Sequence, residues 1–316
     1  MGGVGRSYGK LILFGEHAAV YGHPAVGVSL PEFTTVRLAD AVLPEWALGS
    51  ILPEDRGAVA EVLSLLELSV PGFFAHGRCT VQIESAVARK AGFGSSAALC
   101  GAFARAALAH AGTDEDTGSI TKAWSLAHDA ERIFHGTPSG VDTGLSLLEG
   151  TCVLRPRPPG LPDFSRVADR SLNLVVGAVP RDAACAALIG GLAERVSSGD
   201  RRTRAAIDEL GGIAAEAAET LQRGAARIEE GLGILARRAM DQLRSLGLST
   251  PELDRLLEAA ADAGAPGGKL SGAGGGGAFF AIGRDQASAS RIVARLQTAA
   301  SEAGIVFASP LRVITA

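Results

Sequence analysis

The chain of 316 residues, 47% hydrophobic and 20% charged, carries enough apolar material for one large core or, as its length favours, two smaller ones. A net charge of −4, with no basic block interleaved with aromatics, excludes a nucleic-acid binder. No uncharged span is long enough for a membrane helix and the first residues lack the apolar core of a signal peptide, so no membrane partner and a cytoplasmic location are expected.

In chain order, Lys10–Phe14 reads as a short apolar strand running into Gly15-Glu16-His17. Gly9-Lys10 is no Walker loop, because Leu11 stands where Ser or Thr is required. Val26–Leu30 and Thr34–Leu38 predict two strands joined through Pro31, Glu54–Leu68 a helix, and Cys79–Ile83 a strand. Ser96–His110 is alanine-rich and helical in pattern, and Thr121–Phe134 repeats apolar residues along one helix face. Thr137–Asp142 is a punctuated loop, Thr151–Leu154 a strand, and Pro156–Pro162 the expected passage between a lobe of residues 1–160 and one of 161–316. Leu172–Val179 predicts a buried strand, followed by helices over Ala183–Val196, Arg201–Leu221, Arg227–Leu246 and Pro251–Ala263. A glycine cluster, Gly267–Gly277, leads into the apolar run Ala278–Ile282. A helix over Gln286–Ala303 and strands at Ile305–Phe307 and Leu311–Ile314 finish the chain. Helices and antiparallel-looking strands mix without strict βαβ alternation, which predicts an α+β fold in two lobes. Cys79, Cys100, Cys152 and Cys185 are widely spaced among apolar residues, a pattern of reduced, buried thiols and not of disulfides or zinc.

Three stretches carry candidate chemistry. Lys90-Ala91-Gly92-Phe93-Gly94-Ser95-Ser96-Ala97-Ala98 is a glycine turn that opens a helix. There, backbone N–H groups approach an oxygen-rich ligand and the helix N-terminus supplies unpaired donors. A capped helix after a tight loop is the plainer alternative. The run Lys269–Gly277 is costly to order, so close backbone approach to a phosphate, or to the first loop, explains it better than a flexible connector does. Phosphoryl transfer needs phosphate-cradling donors, a metal held by a carboxylate and often a hydroxyl, a cation, and a group that orients the nucleophile. Ser96 (or Ser95), Glu131, Asp142 and Lys10 offer each of these, and every one adjoins a glycine turn or an element end.

The segment Lys10-Leu-Ile-Leu-Phe-Gly-Glu-His-Ala-Ala-Val-Tyr-Gly-His, the Gly-Phe-Gly-Ser-Ser-Ala loop and the glycine run Leu270–Gly277 resemble the three motifs of the GHMP small-molecule kinases. Glu131-Arg-Ile-Phe-His-Gly-Thr-Pro-Ser-Gly-Val-Asp142 is similar to the mevalonate kinase branch, as are Met240–Asp254 and Val179-Pro180-Arg181. The resemblance spans nearly the whole chain. It implies a ribosomal-S5-like N-terminal lobe, a ferredoxin-like C-terminal lobe, and phosphorylation of the C5 hydroxyl of mevalonate by ATP, with a homodimer common among such kinases. It further implies ATP held by Lys90, Gly92, Phe93, Gly94, Ser95, Ser96 and Ala97 and by the backbone of Gly274, Gly275 and Gly276. Mg2+ would sit on Ser96 and Glu131. Asp142 would face the hydroxyl as base, with Lys10 polarising that hydroxyl and offsetting charge in a loose transition state. Glu16, His17, Gly272 and Ala273 would lie at the mevalonate end.

The chain departs from the family at Arg89-Lys90-Ala91-Gly92-Phe93-Gly94-Ser95-Ser96, where Pro-x-Gly-x-Gly-Leu-Gly-Ser-Ser is usual. A lysine before that loop is more like phosphomevalonate kinase, the alternative reading. Glu16-His17 and the Pro138–Asp142 run favour mevalonate. A catalytically silent nucleotide-binding protein is disfavoured because Lys10, Ser96, Glu131 and Asp142 are all present. Ala183 and Ala184 stand where a threonine-containing sequence is common, which leaves the role of Arg181 open.

Overall fold

The N-terminal sheet grows from β1 (Gly3–Phe14), paired antiparallel with β2 (Ala25–Leu43). The structure, a computed structural model, describes residues 2–43, 45–73, 78–113, 117–158, 160–167, 171–181, 185–223 and 227–316; Ala183, Ala184 and the side chain of Cys185 lie outside that set. β2 is one strand of 19 residues where the sequence predicts two. The β1–β2 register shifts between Tyr8 and Lys10, opposite Pro31, so the missing proline N–H falls at a bulge. Along its other edge β2 pairs first with β4 (Thr151–Arg157) and then, from Thr34, with β3 (Arg78–Ser85), and Pro31 lies in the gap between them. β4 folds back on β5 (Gly160–Arg166) as a hairpin. The proline-rich segment therefore covers the end of β4 and the start of β5, and the first sheet runs to Arg166, past the division expected at residue 160.

One face of this sheet is covered by α1 (Arg56–Ser69), α2 (Ser95–His110), α3 (Thr117–His135) and α4 (Val141–Leu147). The alanines of α2 let its backbone lie directly on β1: a Cβ at Gly3 or Gly5 would collide with the carbonyls of Ala106 or Ala102. This close docking fixes where the N-terminus of α2 points.

The second sheet holds β6 (Asn173–Val179), β7 (Gly268–Leu270), β8 (Gly277–Gly283) and β9 (Ser309–Thr315) in the order β7-β8-β6-β9, all antiparallel. With helices between β6 and β7 and between β8 and β9, this is the ferredoxin-like arrangement. Its helices are α5 (Cys185–Ser197), α6 (Arg201–Arg223), α7 (Ile228–Ser245), α8 (Pro251–Asp262) and α9 (Gln286–Ala303). The strand expected at Ile305–Phe307 is absent. α9 ends at Gly304 (φ 64°), Ile305 N–H still donates to Ala300 C=O at 2.8 Å, and Ala308 N–H reaches Ala178 C=O at 2.7 Å before β9 begins. Those residues close the helix and cross to the sheet.

The other face of the first sheet packs on the C-terminal lobe in one continuous core. Leu11, Leu13, Phe14, Val26 and Val28 join the residues of β6, β8, α6, α7 and α8, and the Phe14 and Phe280 rings meet edge to face 6.5 Å apart. Each such side chain contributes about 1.5–3 kcal/mol when fully buried. The lobes are thus held together by apolar contact. Cys79, Cys100 and Cys152 are buried, and burial pushes the Cys152 thiol up to about 11. Among the described residues no helix is long and apolar enough to cross a membrane.

Candidate active site

Lys10 closes the β1 bulge and ties the first glycine loop to the sheet: its backbone N–H donates to Phe93 C=O at 2.9 Å. Its side chain then lies along the loop. A Cβ at Gly94 (φ 73°) would come within 2.6 Å of Lys10 Cγ and 2.8 Å of Cε, so both the backbone angle and the space require glycine there. Gly94 is the N-cap of α2 and supplies no side-chain cap, which leaves the first amides of the helix available to an anion. Upstream, Arg89 is engaged by Asp55 through both nitrogens, at 2.6 and 2.8 Å, while Lys90 (φ 58°) is exposed.

Lys10 Nζ lies 2.9 Å from Asp142 Oδ2; the lysine side chain is 4% exposed and the aspartate 35%. Asp142 sits in the first turn of α4, whose Gly140 carbonyl accepts from Trp124 Nε1 at 3.0 Å and from Thr143 Oγ1 at 3.2 Å. Glu131, on α3, is buried beside this pair. Loss of water pushes its carboxyl up to about 8, with repulsion from Asp142 adding and attraction to Lys10 opposing. Its Oε2 has no hydrogen-bond partner. One helical turn on, His135 Nε2 lies 3.0 Å from the Ser96 hydroxyl. Burial lowers the His135 pKa, Asp142 opposes that, and Lys10 and Arg181 add to it. An unpartnered buried carboxylate oxygen in a patch that also holds a serine hydroxyl fits a hard divalent cation, which would favour the charged carboxylate. No group of three or more His, Cys, Asp or Glu among the described residues could hold a metal alone, so the remaining ligands would have to come from a bound phosphate or water.

The second glycine loop reaches the same place from the far end of the chain. Ser271 Oγ donates to Ile12 C=O at 2.8 Å and accepts from Ile12 N–H at 3.1 Å. Beside it Lys269, fully buried, pairs with Glu16, donates to Leu270 C=O at 2.7 Å, and lies 5.4 Å from the centre of the Phe280 ring. His17 (φ 61°) faces the backbone of Gly272 and Ala273, and burial pushes it down to about 4. Gly275 N–H donates to Leu248 C=O at 2.8 Å, anchoring the loop between Gly274 and Gly276 to its own lobe. The two loops abut: a Cβ at Gly92 would meet Ala278 N and Arg181 Nη2, each at 3.0 Å.

The sequence-predicted residues therefore form two neighbouring clusters. Lys10, Ser96, Glu131 and Asp142 meet around the N-terminus of α2. Glu16, His17, Gly272 and Ala273 gather where β1 ends. Lys90 stays at the rim. Sequence reasoning gave no role to Lys269, whose signal was a cation in the middle of the short strand β7, just ahead of the glycine run. It also passed over Trp124, and over His135 although it quoted that residue within a motif. Arg181, whose role was open, projects between the two loops.

Comparison with known proteins places the chain among kinases. Residues 58–150 match the model of the GHMP kinases N terminal domain and residues 214–302 that of GHMP kinases C terminal. The chain is 31% identical over 292 residues to a mevalonate kinase from Aeropyrum pernix, covering 87% of this chain and 86% of that protein. Among solved structures it is similar to L. major mevalonate kinase in complex with R-mevalonate, with a TM-score of 0.75 at 26% identity over 96% of this chain and 94% of that one. Streptococcus pneumoniae phosphomevalonate kinase in complex with phosphomevalonate and AMPPNP shares the fold, with a TM-score of 0.79 at 19% identity over 98% of this chain and 99% of that one. Two abutting glycine loops around a lysine–aspartate pair, a ferredoxin-like second sheet and these relatives lead to one assignment: the chain belongs to the mevalonate kinase family of the GHMP kinases.

Proposed function

We propose that the protein transfers the γ-phosphoryl group of ATP to the C5 hydroxyl of mevalonate, giving 5-phosphomevalonate and ADP. The observation that carries this reading is the Lys10–Asp142 pair, 2.9 Å long, buried on its lysine side and open on its aspartate side, at the N-terminus of α2. In the reaction the C5 oxygen bonds to the γ-phosphorus as the bond to the β–γ bridging oxygen breaks. Asp142 orients the hydroxyl and takes up its proton. Lys10, held flat by Gly94, offsets the charge that spreads over the transferred group. The amides of Gly92, Phe93, Gly94, Ser95, Ser96 and Ala97 cradle the phosphates, with the second loop presenting its backbone at Gly274 and Gly276 on either side of Gly275, whose N–H is taken by Leu248 C=O, and with Lys90 at the rim. Ser96 and Glu131 are the residues that would hold Mg2+, and the unpartnered Oε2 of Glu131 supports that assignment. Bound there with ATP, Mg2+ supplies neutralisation of the phosphate charge. Glu16, His17, Gly272 and Ala273 shape the mevalonate end.

The test is product identification. Purified protein with Mg-ATP is given mevalonate or 5-phosphomevalonate, and ADP release is followed in a coupled assay. Mevalonate-dependent ADP with one new phosphomonoester supports the reading. Turnover with 5-phosphomevalonate alone installs the phosphomevalonate kinase alternative, and no turnover with any alcohol leaves a nucleotide binder.

A further inference from the structure

We infer that Arg312, on the last strand of the C-terminal lobe, is a positioning residue for the first glycine loop and acts through the ring of Phe93. The inference rests on the reading that this loop holds the ATP phosphates.

Phe93 is a bulky side chain between two glycines, in a segment whose backbone must stay in place to present its amides. Glycines on either side give that backbone a large entropy to lose, and an anchor set in advance reduces what ligand binding must spend. The Phe93 side chain is 1% exposed. Its ring is faced by the Arg312 guanidinium, whose carbon lies 4.8 Å from the ring centre. The guanidinium is itself fixed in plane. Arg312 Nε lies 2.7 Å from Glu32 Oε1, and Nη2 donates to Glu32 Oε2 at 3.0 Å. Glu32 belongs to β2 of the N-terminal sheet, next to Pro31 and opposite the bulge that ends at Lys10. Arg312 belongs to β9, directly across from Val176 of β6. The contact therefore joins both lobes to one residue of the loop.

From Phe93 the connection continues to the chemical centre. Its carbonyl accepts from Lys10 N–H at 2.9 Å, and the Lys10 ammonium reaches Asp142. With Nε and Nη2 taken by Glu32, Nη1 donating to Ser309 Oγ at 3.4 Å and one face covered by the ring, Arg312 is not a phosphate ligand. Its effect passes through the ring alone.

The test uses the full chain and four variants: Arg312→Met, Arg312→Lys, Phe93→Leu and the double Arg312→Met/Phe93→Leu. The readouts are the Kd for MgATP by titration calorimetry, the separate KM values for MgATP and mevalonate, and thermal unfolding. Arg312→Met is expected to raise the MgATP Kd and KM about tenfold. Under the same reading the mevalonate KM changes by less than about twofold and Arg312→Lys loses less than about threefold. Phe93→Leu alone should weaken MgATP by a similar factor, and in that background Arg312→Met should add less than about twofold. An unchanged MgATP affinity with a lowered unfolding temperature would overturn the proposal, leaving Arg312 a lobe contact only. So would an Arg312→Met effect that persists in full without the ring. Failure of the wild-type protein itself to bind MgATP would sink the reading of the loop, and is told apart from these by its appearance before any substitution is made.

Discussion

Two lysine–carboxylate pairs lie beside the glycine loops, and they differ in one respect. In Lys10–Asp142 the lysine is sealed and the aspartate is about one-third exposed; in Lys269–Glu16 both side chains are sealed, at 0% and 2% exposure. Burial raises the Glu16 carboxyl and lowers the Lys269 ammonium, and each is brought back by the other. A pair closed on every side can only hold elements together, here the end of β1 and the start of the second glycine loop. A pair open on its carboxylate side can meet a hydroxyl. The fold thus carries the same two residue types once as a fastening and once, in the proposed reaction, as the reacting pair, and solvent access separates the two.

Three perturbations sharpen that contrast. The largest effect is expected at the sealed pair. Lys269→Met leaves Glu16 buried without a partner and should cost about 3–5 kcal/mol in chemical denaturation, while Lys269→Met with Glu16→Gln should cost less. A loss below about 1 kcal/mol for the single variant would erase the distinction between the pairs. Next comes His17, beside the same pair. Its neutral form is favoured in the fold because burial pushes it from 6.5 down to about 4. The unfolded chain takes up that proton at the ordinary histidine value, so this contribution is intact above pH 6.5 and is lost as pH falls toward 4. The loss reaches about 3 kcal/mol at the acid end. Urea midpoints across that range should fall less steeply for His17→Asn than for the wild type; parallel curves would place His17 in water. The smallest effect is expected at the rim. Asp55→Ala breaks the exposed Arg89 pair and should change stability by less than about 1 kcal/mol in the same assay. A larger loss would make the rim, and not the sealed pair, the fastening of the first loop.

What the sequence revealed and what it hid follow from the range of the interactions. Periodicity and glycine placement are local, so the α2 helix after Gly94, the loop before Asp142 and the amphipathic helices of the second lobe were legible. Motif order carried Lys10, Ser96, Glu131 and Asp142, which the fold brings into one cluster. Local reading failed where a distant partner decided the outcome. Pro31 reads as a break, yet β2 runs through it because the bulge at Gly9 and the gap between β3 and β4 leave that position without a ladder bond to lose. Ile305–Phe307 alternates like a strand but is consumed by the end of α9. Pro156–Pro162 has the composition of a linker, whereas its two ends belong to β4 and β5, which pair with Arg157 opposite Gly160. Lys269 and Glu16 are 253 positions apart by number, and Ser271 bonds to Ile12 across a separation of 259; no local pattern announces either.

The central claim is that the half-open pair does the chemistry, and Asp142→Asn tests it most directly. The substitution keeps the size of the side chain and removes the proton acceptor. With Mg-ATP and mevalonate, turnover should fall by roughly 10²–10⁴-fold. The MgATP Kd should stay within about threefold of the wild type, since the phosphate-cradling amides are untouched. Near-normal turnover of a folded, ATP-binding Asp142→Asn protein would contradict the account.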